Sequence, residues 1–165
     1  MPNDETARGS TGGRGAESVP SSRPKYSLPE IERRWTVEEN LLPPLESVPY
    51  ENIEDLYVRG TRLRLRKVTG QDGEMTFKLG KKYPLVGPHE APITNLYLSA
   101  AEYDVLVEAL TGDRLRKRRY KLLGGALDVP TEGLGPMFSV EFGDTAQAAA
   151  YEPPAFAGPE VLQSA

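Results

Sequence analysis

One stretch constrains this chain more than any other: Glu30-Ile31-Glu32-Arg33-Arg34-Trp35. Read as a β-strand, successive side chains alternate between faces. Glu30, Glu32 and Arg34 then share one face, and Ile31, Arg33 and Trp35 the other. The two carboxylates stand roughly 7 Å apart along such a strand, close enough to share one hard cation of the Mg²⁺ or Mn²⁺ kind. The guanidinium beside them cannot bind that cation, but it suits a phosphate group that the cation also touches. A solvated edge strand would explain this stretch alone. Four later segments with the same design argue against that reading.

The Tyr57–Val68 segment reads as a strand with Arg62, Arg64 and Arg66 on one face and Leu63 and Leu65 on the other. Thr69-Gly70-Gln71-Asp72-Gly73 is a hairpin turn signal. The return strand, Glu74–Leu79, places Thr76 and Lys78 opposite Met75, Phe77 and Leu79. Arg114–Leu123 alternates again, with Lys117, Arg119 and Lys121 on one face and Arg116, Arg118 and Tyr120 on the other. Ala126–Val129 carries Asp128, and Met137–Phe142 carries Ser139 and Glu141 opposite Phe138, Val140 and Phe142.

The remaining segments read as connections, one more strand and two helices. Glu51–Leu56 is expected as a helical turn or an irregular crossing, and Lys81–Pro92 as a proline-broken loop holding the single histidine, His89. Ile93–Leu98 is a further strand. Ser99 and Glu102 form a capping box that opens a helix to about Leu110, with Tyr103, Leu106, Val107 and Leu110 as its apolar stripe. Asp144 caps an alanine-rich helix that Pro153-Pro154 stops, and an extended tail follows. Residues 1–25, rich in Gly, Ser, Pro and Arg, cannot bury enough surface to offset ordering entropy and read as a disordered tail. One domain, residues 26–160, is expected between that tail and a short tail at 161–165.

Sign is ordered along the chain. Acids sit on the first strand and the last two, and bases on the strands between. A closed barrel with a polar lumen would gather them, cations to hold phosphoryl oxygens and carboxylates to hold a bridging ion. The net charge of −4 conceals this clustering. The absence of cysteine excludes disulfides, thiolate metal sites and a thiol nucleophile. No apolar run approaches the length of a membrane helix, and a cytoplasmic protein is expected. Nucleic-acid binding is the weaker reading of the basic strands, since no aromatic residues are interleaved on their basic faces for stacking.

Taken together, these residues resemble the CYTH, or triphosphate tunnel metalloenzyme, superfamily. Glu30-Ile31-Glu32-Arg33-Arg34 is similar to its E-x-E-x-K strand, and Leu63-Arg64-Leu65-Arg66 to its paired-arginine strand. Thr76-Phe77-Lys78 resembles its T-x-K strand, and Tyr97–Tyr103 the lead into its central helix. Lys117-Arg118-Arg119-Tyr120 resembles its K-x-R-Y strand, and Asp128 with Ser139–Phe142 its acidic closing strands. The resemblance covers about residues 26–160. It implies an α+β domain built on a closed antiparallel eight-stranded β-barrel, a tunnel with a polar lumen and a few flanking helices. Such tunnels bind triphosphate-bearing ligands with Mg²⁺ or Mn²⁺, and family activities include hydrolysis of inorganic triphosphate or thiamine triphosphate and cyclisation of ATP.

Carried onto this chain, the resemblance gives Glu30, Glu32 and Glu141 as metal ligands, with Asp128 as a further candidate. Arg64, Arg66, Lys78, Lys117 and Arg119 would hold phosphates, and Arg62 is either a tunnel-mouth or a plain surface residue. Arg34 and Glu32 would stand at the reacting phosphoryl group. Tyr57 either faces the lumen near Arg34 to orient water or packs as a strand tyrosine. Three positions depart from the family pattern: Arg34 replaces a lysine, and Ser139 and Ala126 stand where acids are usual. Arginine cannot lose a proton to act as a base. Two functions follow: metal-dependent hydrolysis of a triphosphate, most simply inorganic tripolyphosphate, or a binding module of the same fold for polyphosphate or a nucleotide. The partner in either case is a small polyanion, on a monomer or homodimer.

Overall fold

The computed structural model describes residues 23–163; the expected tail at residues 1–25 lies outside them except for its last three residues. Nine strands and two α-helices occur in the order β1 (Leu28–Val37), β2 (Tyr50–Val58), β3 (Leu63–Gly70), β4 (Met75–Lys82), β5 (Glu90–Leu98), α1 (Ala100–Ala109), β6 (Gly112–Leu122), β7 (Gly125–Pro130), β8 (Met137–Phe142), α2 (Thr145–Ala150) and β9 (Ala157–Val161). All pairings between strands are antiparallel, in the order β5-β4-β3-β2-β6-β7-β8-β1, and β1 pairs back onto β5. Eight strands therefore close into the barrel that the resemblance implies. β9 lies beside the second half of β1, with Arg34 opposite Val161.

Both apolar clusters of this barrel are on its outside. One cluster joins Trp35, Leu127, Phe138, Val140 and Phe156, with Tyr151 packed against it. The other joins Leu56, Leu65 and Tyr103 and receives Phe77, Leu79, Leu98, Leu106, Val107 and Leu110. The stripe expected for α1 is thus its core face. α1 has the expected capping box: Ser99 Oγ accepts from Glu102 N at 3.1 Å and Glu102 Oε1 accepts from Ser99 N at 2.8 Å. Asp144 Oδ1 accepts from Gln147 N at 2.7 Å and caps α2. With both apolar clusters outside, alternation sends the other face of every barrel strand into the lumen. Among the described residues no helix is long and apolar enough to cross a membrane.

Four expectations about elements change. Glu51–Leu56 is neither a helical turn nor an irregular crossing; it belongs to β2, a strand between β3 and β6. Its Glu, Asn and Asp content is poor strand material, and flanking strands override that preference. Tyr57–Val68 is two strands rather than one: the chain turns at Arg59–Arg62, where Gly60 has φ +74° and Thr61 N donates to Val58 O at 3.2 Å. β4 runs three residues past Leu79, so Lys81 and Lys82 lie in a strand and not in the following loop. The segment after Pro154 includes β9, and Gln163 Nε2 donates to Glu32 O at 3.0 Å. The Gly70–Gly73 hairpin forms as expected, with Gly73 at φ +84° and its N–H donating to Gly70 O at 3.0 Å.

Candidate active site in the barrel lumen

Cross-strand register places the acids first. β1 and β8 pair with Glu32 opposite Glu141 and Arg34 opposite Ser139. Carboxylate oxygens of Glu30, Glu32 and Glu141 all lie within 4.8 Å of one another. Two oxygens on one octahedral Mg²⁺ are at most about 4.2 Å apart, so small side-chain rotations bring this set to metal-binding geometry. The electrostatics agree. Burial, then Glu30 and Glu32, push the Glu141 carboxyl above the ordinary glutamate range, and a divalent cation would relieve that repulsion. Two of the three acids already have a cation of the protein. Glu32 Oε1 accepts from Arg34 Nε at 2.8 Å and Nη2 at 2.6 Å, and Glu30 Oε1 accepts from Lys82 Nζ at 3.0 Å. Glu141 makes no ion pair among the described residues.

The basic strands divide into two groups. In the first, cations are neutralised inside the lumen. Arg66 forks onto Asp55 at 2.7 and 2.8 Å. Arg119 forks onto Asp128 at 2.7 and 2.9 Å, and Lys117 Nζ reaches Asp128 Oδ2 at 2.8 Å. Burial alone would push the Asp128 carboxyl up; Arg119 and Lys117 more than reverse this and leave it at about 2.

The second group is Arg64 and Lys78. Arg64 Nε is buried with no hydrogen-bond partner, and its nearest carboxylate, Asp55, is 4.0 Å away. Lys78 makes no ion pair among the described residues. Burial lowers the affinity of both for their protons, and like charges add to it: Arg66 beside Arg64, and Arg66, Arg64 and Arg119 around Lys78. A buried donor without a partner costs free energy, and an anion would supply the partner. Glu141 feels Lys78 and Arg119 from across the lumen, so the acidic set and the free cations face one space.

Each candidate residue can now be placed. Glu30, Glu32 and Glu141 converge. Asp128 does not join them, because both of its oxygens are taken by Arg119 and Lys117. Arg64, Arg66, Lys78, Lys117 and Arg119 line the lumen, although three of the five are held by Asp55 and Asp128. Arg62 is exposed in the β2–β3 turn, outside this cluster. Tyr57 faces the lumen beside Arg34 and Arg64 and is not packed away. Ala126 and Ser139 are cross-strand neighbours, which leaves a small-residue gap next to Arg34.

Two lumenal groups escaped sequence reasoning. Asp55 is fully buried yet sits within 4.0 Å of Arg64, Arg66 and Lys117. Lys82 holds Glu30. The available signal was parity: Asp55 shares a face with Tyr57, and Lys82 with Lys78.

No family model matches the sequence, and no curated protein matches it. Among solved structures the chain is similar to two crystal structures of the protein NE1496, one presented as a hypothetical protein and the other as an inorganic triphosphatase. Identity is 24% and 23%, with 79% of this chain covered in both, 88% and 85% of the other chain, and a TM-score of 0.48 in each.

Proposed function

We propose that the lumen binds a triphosphate-bearing anion together with Mg²⁺ or Mn²⁺ and hydrolyses its terminal phosphoanhydride, with inorganic tripolyphosphate as the simplest substrate. The observation that carries this reading is the pair Arg64 and Lys78, two cations with no acid hydrogen-bonded to them, facing three converging carboxylates. Polyanion and metal each supply the charge that one wall lacks. When bound, the metal would neutralise charge on the phosphoryl oxygens and organise them for in-line displacement. Glu30, Glu32 and Glu141 would hold it. Arg64 and Lys78 would hold the phosphate chain, with Arg66, Lys117 and Arg119 as a paired belt behind them. Arg34 and Tyr57 would flank the reacting phosphorus. Water replaces the bridging oxygen there, and orthophosphate and diphosphate leave.

A second reading is favoured by Arg34 itself. Burial weakens its hold on the proton, but Glu32 outweighs burial and the guanidinium stays charged. It cannot deprotonate water. A tunnel that binds the anion without cleaving it fits that feature. Phosphate release from tripolyphosphate, ATP and thiamine triphosphate, with Mg²⁺ and with Mn²⁺, separates the two, run beside thermal melts with each ligand. The enzyme gives a raised melting temperature and free phosphate; the binder gives the first alone. No shift with any polyanion overturns both.

A further inference from the structure

Lys82 ties the basic wall of the lumen to the acidic one. It stands on the lumen face of β4, on the same parity as Lys78, and is opposite Ile93 of β5. Glu30 is opposite Ala91 on the other edge of β5. The Lys82 side chain therefore crosses β5 beside Ala91, which is small and buried, and brings Nζ to Glu30 Oε1 at 3.0 Å.

This bond is looser than those of the paired belt. Asp55 and Asp128 each hold an arginine by a two-pronged fork. Lys82 gives Glu30 one hydrogen bond from an ammonium with three donors, and both side chains keep contact with water, 32% and 18% exposed. Its four-carbon stem is flexible. Lys82 also stands at the end of the free cations. Arg64 is opposite Gly80, midway between Lys78 and Lys82 on β4, so Lys78, Arg64 and Lys82 follow one another along a single wall. An anion lying on the first two brings its next oxygens toward the third.

We propose that Lys82 is a conditional anion ligand: Glu30 holds it until the Glu30 carboxylate is neutralised, and it then turns to an oxygen of the bound polyanion. A divalent cation on Glu30, Glu32 and Glu141 would do this, because a second positive charge beside that carboxylate repels the ammonium. Metal and polyanion then strengthen each other's binding, and the coupling is reciprocal. The inference rests on the anion and metal sites proposed above and adds the residue that couples them.

The test is a double-mutant cycle read by calorimetric binding of tripolyphosphate to the whole protein in EDTA, where no metal contributes. Glu30→Gln keeps the side-chain shape, removes its charge and stands in for neutralisation. Loss of a lumenal charge weakens binding in either background, so the difference between backgrounds reads the direct bond. Lys82→Met should weaken tripolyphosphate about tenfold more in the Glu30→Gln background than in the unaltered protein, the scale of one charge-assisted bond. Lys78→Met should weaken it by the same factor in both, since no acid is bonded to Lys78 among the described residues. An effect of Lys82→Met that is equal in the two backgrounds, or smaller with Glu30→Gln, overturns the inference. The anion site still stands in that case if Lys78→Met weakens binding. Failure of tripolyphosphate to bind both the unaltered protein and the Glu30→Gln variant removes the anion site and both proposals with it.

Discussion

Arg66 and Lys78 are cross-strand neighbours in one lumen, yet they do opposite work. Arg66 is tied to Asp55 by two short bonds in a buried site. Lys78 has cations on several sides and no acid bonded to it. The same contrast separates Arg119 and Lys117, held by Asp128, from Arg64, whose Nε has no partner. A charge in the paired belt answers to the fold, because losing one member strands the other. A charge in the free pair has no acid hydrogen-bonded to it, and in the proposed reading a ligand supplies that partner.

The sharpest way to break this comparison is to remove an acid from the belt. Asp128→Ala would leave Arg119 without a bonded acid and Lys117 with only Asp55, 3.9 Å away, a loss of about 3 kcal/mol. For a domain of this size that lowers the melting temperature by roughly 10 °C, readable by calorimetry. A change of only one or two degrees would show that the belt is better hydrated than its geometry implies. The free pair should behave the other way. Arg64→Ala combined with Lys78→Ala should leave stability within about 0.5 kcal/mol. It should weaken tripolyphosphate binding by about a hundredfold or more, since each charge-assisted bond contributes roughly 1.5–3 kcal/mol.

Acid should separate the groups too. Arg119 and Lys117 hold the folded Asp128 carboxyl at about 2, below the ordinary aspartate value of 3.8. A depressed carboxyl gives stability that is present above the higher value and lost as pH falls toward the lower one. Between pH 4 and pH 2 the folded state should lose on the order of 2 kcal/mol from this group. Denaturant unfolding at successive pH values should show that slope, and Asp128→Asn should flatten it. The smallest effect belongs to the acidic wall. Mg²⁺ or Mn²⁺ should raise the melting temperature by a few degrees through mass action, and Glu141→Gln should reduce the rise. If the enzyme reading holds, Arg34→Lys should preserve tripolyphosphate binding and increase phosphate release, since lysine can be tuned to lose its proton.

Much of this lumen could be read from parity alone. Glu30, Glu32, Arg64, Arg66, Lys78, Lys117 and Arg119 face inward because their neighbours Ile31, Leu65, Phe77 and Leu79 are apolar and face out. The Ser99–Glu102 box and the Asp144 cap gave both helices, because capping is chemistry between near neighbours in sequence. β2 was lost because its local composition opposes a strand, and only pairing on both sides makes it one. With β2 went Asp55, whose burial makes sense only once three cations from β3 and β6 surround it. The fate of Asp128 was hidden for the same reason: its partners, Lys117 and Arg119, are reached across a register that a sequence does not display.

β1 pairs with β5, β8 and β9, and the last two lie more than a hundred residues away along the chain. During synthesis the first strand of the barrel must therefore wait for the end of the domain. Until then the nascent sheet has an open edge and a concave charged surface facing water, with its exterior apolar clusters only half assembled. Closing so long a loop is slow relative to forming the β3–β4 hairpin, so ring closure is expected to limit the rate of folding. A circular permutant that opens the chain in the β5–α1 region and joins the old termini would turn the β1–β8 pairing into a shorter-range contact and should fold faster.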